Sequence, residues 1–370
     1  MRIGLNLLPA VPGIGGSWNY AASLLNALAE YDQENEYVAF VTSASAPLVP
    51  SAVNFHSVEL PLHAAWRPLR VMYENTLFRS SIGSQRLDCI HHIFGTMPFV
   101  GSLPIVVTIL DLMVFSRPKD FPLSKQLYLR FMVRRAAHDA TVLAPMSNTT
   151  ATDIQRLFNV PLERMHVVPA AVGAQFERES ESRIALFRRR LGLPPTYWLC
   201  VAEPFPNKNY ERLITAFSAL RRVSDVGWPL VIRGQLTPQL LKRIEDAGLR
   251  EQVIVVPRLH DSDMPLLYSA AAALVFTSMF EGGGLPVMEA LACGCPVVAS
   301  DIPTTREFAG DAATMFDPLD VESIVAAMKE FESSPDVRSR LSAAAANTTP
   351  VAMRAMACAM VSAYRAAVTP

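Results

Sequence analysis

The sequence has no long apolar run of the kind that crosses a membrane. A spanning helix needs about 18 to 20 apolar residues in a row, and the nearest candidate, IVVTILDLMVF, is interrupted by Asp111. At the N-terminus, Asn6, Pro9 and Pro12 break up the apolar residues and Arg2 is the single basic residue, which is unlike a secretory signal peptide. These two absences predict a cytoplasmic protein.

The sequence also has little net charge and few cysteines. It contains 33 Lys and Arg against 34 Asp and Glu, a formal charge of −1, which is not the basic footprint of a nucleic-acid-binding protein. Its five cysteines are odd in number and scattered, so they do not predict a disulfide framework. We interpret Cys293 and Cys295 as small residues packed in a helix-to-strand turn rather than as a metal or redox pair.

What the sequence does contain is enough apolar material for two cores. Apolar residues make up 51% of the 370 positions and charged residues 18%, which is typical of a globular chain. A chain of this length suits two domains of about 150 to 200 residues each. We place the first domain at residues 1–175 and the second at 176–351, with the boundary in the polar segment GAQFERESESRIALFRRRLGLPP.

Short apolar runs alternate with helical stretches in both halves of the sequence. The predicted strands of the first half are RIGLNLL, YVAFVTS, VNFHSVEL, CIHHIF, IVVTILD and ATVLAPMS, and its predicted helices include residues 18–30 and 124–138. Those of the second half are TYWLCVAE, PLVIRGQ, VIVVPR, AALVFTS and PVVAS. Strands joined through helices are parallel, so we predict two Rossmann-like α/β sheets with a ligand cleft at their carboxyl ends.

The stretch FEGGGLPVMEALACGCPVVASD combines features of an anion site with carboxylates. Pro286 suits the first helical position, and the glycines Gly282, Gly283 and Gly284 stand just before it, where backbone N–H groups and the helix dipole attract anions. Because Glu281 and Glu289 repel a bare phosphate, they are better suited to accept hydrogen bonds from sugar hydroxyls. A nucleotide diphosphate sugar carries both kinds of group, although a capped helix with a flexible entry loop explains the same pattern.

This stretch resembles the E-x7-E signature of family-4 retaining glycosyltransferases. The resemblance extends over most of the chain: GIGGSWNY is similar to the N-terminal glycine loop, MSNTTATDIQRLFNVPLERMHVVPAAV to the lead into the second domain, and PFPNKNYERLITAF to the Lys-Asn motif. It implies the GT-B fold, in which two Rossmann-like domains face each other across a cleft. It also implies a C-terminal helix, here about residues 352–370, that returns to the first domain.

The resemblance implies a metal-independent donor site with no other cofactor. Lys208 and Glu281 are the implied catalytic residues, Lys208 binding the diphosphate and Glu281 facing the donor sugar. Glu289 holds the ribose, and backbone near Arg258 contacts the base. The full donor-binding set is Gly15, Gly16, Asp111, Glu203, Lys208, Arg258, Glu281, Gly282, Gly283, Gly284, Leu285 and Glu289.

Four positions depart from the family pattern. Leu110 stands where the family commonly has a histidine that contacts the donor sugar near its C6 hydroxyl. Ala202 and Glu203 replace a glycine followed by Arg, Thr or Ser, and a glutamate beside a diphosphate is unfavourable unless it points away or pairs with Lys208. Gly283 replaces an aromatic residue. Because leucine packs well against a methyl group, Leu110 favours a 6-deoxy donor sugar such as fucose or rhamnose, unless His91, His92 or water contacts the C6 hydroxyl.

Two further clusters have alternative interpretations. Asp261-Ser262-Asp263 matches the D-x-D of a different, metal-dependent glycosyltransferase fold, but its place before MPLLYSAA favours helix capping. His91 and His92 end a predicted strand, where they either line the cleft or serve a structural role.

The predicted helix SKQLYLRFMVRRAAH carries basic residues among apolar ones. Arg130, Arg134 and Arg135 suit either a solvated face or a peripheral contact with the inner face of a membrane, as a lipid-linked acceptor would require.

The expected function is retaining transfer of a sugar from a GDP-, UDP- or dTDP-sugar to a glycan or lipid-linked glycan in cell-surface polysaccharide synthesis. GDP-mannose and 6-deoxy sugars are the leading donors. Two alternatives remain: a sugar-nucleotide epimerase of the same fold, and a catalytically degenerate partner subunit that only binds nucleotide.

Overall fold

The structure is a computed structural model that describes residues 1–12, 15–62, 67–98, 102–201 and 203–369. The chain divides into two compact units. The first consists of Met1–Ala171 together with Val351–Pro370, and the second of Val172–Pro350.

Each unit is built on a parallel sheet, and each sheet has six strands in the described part of the chain. The strands of the first unit are β1 Arg2–Asn6, β2 Glu36–Val41, β3 Phe55–Glu59, β4 Cys89–His92, β5 Ile105–Ile109 and β6 Val142–Pro145. The strands of the second unit are β7 Trp198–Val201, β8 Leu230–Arg233, β9 Val253–Val256, β10 Ala273–Phe276, β11 Val297–Ser300 and β12 Ala313–Phe316.

The two sheets have the same strand order. The first runs β3-β2-β1-β4-β5-β6, and the second, read from its other edge, runs β9-β8-β7-β10-β11-β12. In both sheets the chain starts in the middle, builds outward to one edge and then returns to build the other half. The reversal lies between β1 and β4 in the first sheet and between β7 and β10 in the second, and open α/β sheets bind ligands outside the carboxyl ends at such a point.

Helices connect the strands in both units. They are α1 Gly15–Tyr31, α2 Arg67–Thr76, α3 Phe78–Gly83, α4 Met113–Ser116, α5 Leu123–Asp139, α6 Asn148–Phe158, α7 Glu181–Leu191, α8 Tyr210–Val223, α9 Pro238–Asp246, α10 Met264–Ala270, α11 Leu285–Ala292, α12 Pro303–Ala309, α13 Val321–Ser333, α14 Pro335–Asn347 and α15 Met353–Val368. Within the described ranges, no helix is both long and apolar enough to cross a membrane.

Most strands are buried on both faces, which explains their continuous apolar sequences, whereas β3, β9 and β12 at the sheet edges are partly exposed. β5 and β10, for example, are buried at every position. The C-terminal helix α15 completes the first unit: Tyr364 is fully buried, and its ring lies 6.3 Å from that of Tyr37 in β2.

The sequence predicted the strands better than the helices. The helix predicted over residues 18–30 begins at Gly15, which places Gly15 and Gly16 in the first turn of α1 rather than in a loop. α6 was not predicted because its sequence, NTTATDIQRLF, is rich in threonine; Ser147 caps it by accepting a hydrogen bond from the Thr150 N–H. β12, α13 and α14 also escaped prediction.

Candidate active site

The glycine loop ends in a helix start that requires glycine. Gly284 precedes α11 with a φ of 56°, in the left-handed region that L side chains rarely adopt, whereas a Cβ there would come no closer than 3.8 Å to its neighbours. The backbone conformation therefore accounts for this glycine. Leu285 is the first residue of α11, one position before the predicted start, and Gly282 to Gly284 are all buried.

Hydrogen bonds join the loop to the short turn that carries Lys208. The Asn207 side-chain amide donates to the Phe280 carbonyl at 3.1 Å, and the Met279 N–H donates to the Asn207 carbonyl at 2.7 Å. The Thr277 hydroxyl donates to the Lys208 carbonyl at 3.0 Å. The position of Lys208 relative to the loop is thus set by backbone contacts as well as by its own side chain.

Lys208 and Glu281 form an ion pair. Lys208 Nζ lies 2.5 Å from Glu281 Oε1, and the two side chains are only 16% and 14% exposed. The Thr304 hydroxyl donates to the Glu281 carbonyl at 2.7 Å and steadies the other end of this residue. The two implied catalytic residues are therefore in direct contact, and the charge of Lys208 is already balanced.

Glu289 lies one turn into α11 and is held by a tyrosine. The Tyr268 hydroxyl of α10 donates to Glu289 Oε2 at 2.7 Å. Burial raises the pKa of the Glu289 carboxyl to about 7, although the hydrogen bond from Tyr268 and the charge of Arg233 oppose this shift. Glu289 therefore changes protonation near neutral pH.

Of the two arrangements that the sequence left open for Glu203, pairing with Lys208 is not the one found. The nearest cation to Glu203 is Arg233 at the end of β8, where Arg233 Nη1 lies 3.9 Å from Glu203 Oε1. Ala202, the other residue of this departure, lies outside the described residues. The carboxylate thus has a partner from the neighbouring strand, which sequence analysis did not identify.

The remaining implied residues lie apart from this group in the chain. Gly15 and Gly16 begin α1 and Asp111 follows β5, all in the first unit. Asp111 is exposed and accepts a hydrogen bond from the Met113 N–H at 2.8 Å, at the start of α4. In the second unit, Arg258 is exposed and follows the end of β9 by two residues.

Both histidines of the strand CIHHIF are buried inside the first unit. His91 contacts the Tyr364 hydroxyl and the Thr108 hydroxyl, each at 2.8 Å. His92 Nδ1 lies 3.1 Å from the Asn6 side-chain amide. Burial lowers the pKa of both histidines to about 3, so both are neutral. Because both His91 ring nitrogens are engaged, His91 is a structural residue.

In the D-x-D cluster, Asp263 stands at the N-cap of α10, as its place before MPLLYSAA predicted, but its side chain forms no capping hydrogen bond. Asp263 pairs with Arg190 at 2.7 Å, and the capping side chain of the short turn is His260, which accepts from the Ser262 N–H. Throughout the described ranges, no three His, Cys, Asp or Glu side chains are grouped so that they could hold a metal ion.

Two residues of the candidate site, Arg233 and Tyr268, were not predicted from the sequence. The sequence could have identified Arg233, because a charged residue at the carboxyl end of an apolar strand lies where ligands bind in such sheets. It carries no such signal for Tyr268, because a tyrosine in the apolar helix MPLLYSAA is indistinguishable from a core residue.

Two family models match the chain, one for each unit. The model described as "Glycosyl transferase 4-like domain" matches residues 15–171, and "Glycosyl transferases group 1" matches residues 185–348. Among solved structures, sucrose-phosphate synthase from Thermosynechococcus elongatus matches with a TM-score of 0.78 at 17% identity, covering 99% of this chain and 98% of that one. The lipopolysaccharide glycosyltransferase WaaG has the same TM-score at 16% identity, covering 98% of both chains. The fold is therefore GT-B.

Curated relatives agree with this class. O-antigen chain mannosyltransferase B from Escherichia coli is 30% identical over 60% of this chain, and the match spans 59% of that relative. O-antigen chain mannosyltransferase RfbU from Salmonella typhimurium is 26% identical over 88% of this chain and 89% of its own length. With the two family models, these matches show that the chain belongs to the family-4 glycosyltransferases.

Proposed function

We propose that this glycosyltransferase transfers mannose from GDP-mannose to a glycan or lipid-linked glycan in polysaccharide synthesis, with retention at the sugar carbon. The observation that carries the proposal is the contact between Lys208 and Glu281 beside the N-terminus of α11, with Glu289 one turn away. The two O-antigen mannosyltransferases among the relatives support mannose as the sugar.

Each part of the second-unit site has a role in the proposed reaction. The N-terminus of α11 binds the diphosphate, Glu289 accepts hydrogen bonds from the ribose hydroxyls, and Glu281 accepts from a hydroxyl of the transferred sugar. When the bond from the sugar carbon to phosphate breaks, negative charge develops on the diphosphate. Lys208 stabilises that charge, a kind of contribution worth about 3 kcal/mol per donor group.

The proposed reaction needs no metal ion. Lys208 and the α11 N-terminus supply positive charge at the diphosphate, and the acceptor hydroxyl passes its proton to the leaving phosphate oxygen as its own oxygen bonds to the sugar carbon. Activity should therefore persist in excess EDTA. Loss of activity that Mg²⁺ or Mn²⁺ restores would contradict this part of the proposal.

The direct test is transfer by the purified protein. GDP-mannose, UDP-glucose and dTDP-rhamnose are each incubated with a lipid-linked glycan, and both nucleoside diphosphate release and the elongated glycan are measured. We expect release with GDP-mannose that depends on the acceptor. A changed sugar nucleotide formed without acceptor would identify an epimerase, and nucleotide binding without turnover would identify an inert partner subunit.

A second donor class, 6-deoxy sugars, is favoured by Leu110. This residue follows β5 directly and is partly buried, and its side chain offers no hydrogen bond to a C6 hydroxyl. A methyl group at C6 would pack against it without an unpaired polar atom.

The proposed membrane contact is formed by one face of α5. Leu123, Leu127 and Phe131 recur every four residues and are 68%, 60% and 57% exposed, so they form an apolar stripe. Lys125 and Arg134 are exposed on the same helix. An exposed apolar stripe with basic neighbours suits the surface of an anionic bilayer.

The three arginines of α5 that the sequence suggested for a membrane contact each make contacts within the protein. Arg135 donates to the Met97 carbonyl at 2.9 Å, so it serves the interior rather than the surface. Arg130 and Arg134 lie over the Phe115 ring, at 5.3 and 5.5 Å from its centroid. The contact is therefore proposed to depend more on the apolar stripe than on the three arginines.

Flotation with vesicles of anionic phospholipid tests this contact. Leu127→Glu together with Phe131→Glu should abolish flotation, whereas the control Val53→Glu, at an equally apolar residue that is 88% exposed in a loop of the same unit, should not. Equal flotation of both variants would contradict the proposal.

A further inference from the structure

Two neighbouring strands of the second sheet end in opposite charges. Arg233 is the last residue of β8 and lies beside Val201 of β7 in the parallel register, and Glu203 follows Val201 by two residues. On its other side, Arg233 lies beside Val256 of β9. Arg233 is therefore at the carboxyl edge of the sheet, where ligands bind in this kind of fold.

The Arg233 guanidinium is short of hydrogen-bond acceptors. Its side chain is only 13% exposed, and its contact with Glu203 is 3.9 Å, too long for a hydrogen bond. Its Nε atom is buried and has no partner among the described residues. A guanidinium has five N–H donors, and leaving buried donors unpaired costs free energy, so this group is suited to receive an acceptor from outside the protein.

The electrostatic neighbours of Arg233 place it beside the ribose-binding carboxylate. Burial raises the pKa of both Glu289 and Tyr268, the hydrogen-bonded pair of α11 and α10, and the charge of Arg233 partly offsets that rise. The ribose of a nucleotide carries the phosphates at one end and the base at the other. A cation beside Glu289 can therefore reach either the phosphate nearest the ribose or the base.

The charge balance of the site favours phosphate. Lys208 is already paired with Glu281 at 2.5 Å, whereas Glu203 lies 3.9 Å from Arg233, too far to accept a hydrogen bond from it. A nucleoside diphosphate adds at least two negative charges beside three carboxylates, and planar guanidinium groups bind phosphate through paired, charge-assisted hydrogen bonds.

We propose that Arg233 is a donor-binding residue whose guanidinium binds a phosphate oxygen of the nucleotide sugar, and that Glu203 holds it in position. This inference rests on the donor site proposed above. It also gives Glu203 a role, because its carboxylate orients Arg233, and Arg233 in turn binds the diphosphate.

The test compares ligands that do and do not carry phosphate. Calorimetry measures the affinities of GDP, UDP, guanosine and uridine for the full-length protein and for Arg233→Met, which keeps an unbranched side chain but removes the donors. Because hydrogen bonds to charged groups are strong, diphosphate affinity should fall about ten- to a hundredfold while nucleoside affinity stays within about twofold. Unchanged diphosphate affinity, or an equal loss for the nucleosides, would overturn the proposal.

Arg188 provides a matched control in the same unit. It is also a partly buried arginine with an unpartnered Nε atom, but its Nη2 donates to the Ala270 carbonyl at 2.6 Å rather than lying beside a carboxylate of the donor site. Arg188→Met should leave all four affinities unchanged. If Arg233→Met fails to fold, Arg233→Lys keeps the charge and should lose about three- to tenfold in diphosphate affinity, because a single ammonium replaces the planar fork.

Glu203→Gln tests the positioning role. In the wild-type background it should change diphosphate affinity severalfold, and in the Arg233→Met background it should have no effect, because the group it positions is gone. Equal effects in both backgrounds would contradict the coupling. Failure of this inference is distinct from failure of the proposed function: in the former the wild-type enzyme still transfers sugar from GDP-mannose, and in the latter it does not.

Discussion

The two sheets share a strand order but differ in the polar groups near their carboxyl ends. In the first unit, β4 ends in two histidines that are buried, neutral and bonded to protein groups. In the second unit, the strand ends and the following loops carry Glu203, Arg233, Lys208 and Glu281. Lys208 and Glu281 form a close ion pair, whereas Arg233 has a longer contact with Glu203 and its buried Nε atom has no partner among the described residues. The same topology therefore supports a structural network in one unit and the proposed ligand site in the other, because function depends on the side chains placed at the strand ends.

Burial has opposite consequences for the titrating groups of the two units. It lowers the pKa of His91 and His92 to about 3, so they stay uncharged at any physiological pH. It raises the pKa of Glu289 to about 7, so this carboxyl responds to small changes of pH. Desolvation disfavours the charged form in both cases, which leaves the two histidines neutral and Glu289 poised to ionise near neutral pH.

The largest expected effect is on catalysis through the Lys208–Glu281 pair. Lys208→Ala and Glu281→Ala should each lower turnover about a hundredfold or more, because each removes a group that stabilises charge or positions the sugar in the transition state. Turnover of the donor is the measurement, with circular dichroism to verify folding.

The control for this prediction is Lys242→Ala. Lys242 is an exposed lysine of the second unit that also forms an ion pair, at 2.8 Å with Asp246, but it lies on the surface of α9. It should retain normal turnover. A near-normal rate for Lys208→Ala would remove Lys208 from the catalytic site.

The next largest effect should separate structural from functional polar groups. His91→Phe leaves the hydroxyls of Tyr364 and Thr108 without their partner, so the free energy of unfolding should fall by about 2 kcal/mol. Urea denaturation measures this loss, and calorimetry on the folded variant should give unchanged GDP affinity. Weaker GDP binding with normal stability would show that the first-unit histidines are not purely structural.

A change of pH is expected to have a moderate effect on nucleotide affinity. Ribose hydroxyls donate to ionised Glu289, and with a pKa of about 7 the ionised fraction falls from about 0.9 at pH 8 to about 0.1 at pH 6. Nucleotide affinity should therefore fall about tenfold over this range. The Glu289→Gln variant is the control, because the nucleotide phosphates titrate in the same way whichever protein binds them. If nucleotide affinity had the same pH dependence in the wild type and in Glu289→Gln, the ribose role of Glu289 would be contradicted.

The raised pKa of Glu289 also determines how the contribution of this group to folding stability changes with pH. The folded-state pKa of Glu289 lies above the ordinary value of 4.5, so the unfolded chain releases this proton more readily than the folded protein. The contribution of this group to stability is therefore complete below pH 4.5 and is lost as the pH rises toward 7.

The smallest expected effect concerns Leu110. Donor preference is measured as the ratio of kcat/KM for GDP-mannose to that for its 6-deoxy counterpart, GDP-rhamnose. If Leu110 packs against a C6 methyl group, Leu110→His should shift the ratio severalfold toward the hydroxylated sugar, because it restores a polar partner and crowds the methyl group. A wild-type preference for GDP-mannose of about tenfold or more would exclude the 6-deoxy assignment.

The sequence by itself determined the features that depend on neighbouring residues. Apolar runs separated by helical stretches predicted two parallel α/β sheets, and the glycines before Pro286 predicted the helix start at Leu285 to within one residue. These are local properties, because strand burial is encoded in each run and the left-handed backbone at position 284 favours glycine whatever surrounds it.

Only the tertiary structure decided which distant side chains meet. Glu203 pairs with Arg233 because β7 and β8 lie side by side in a parallel register, and Tyr268 reaches Glu289 because α10 packs beside α11. His91 bonds to Tyr364, 273 positions away, because α15 returns to the first unit. Such contacts depend on register and on crossover connections that bring distant segments together, and no local pattern in the sequence records them.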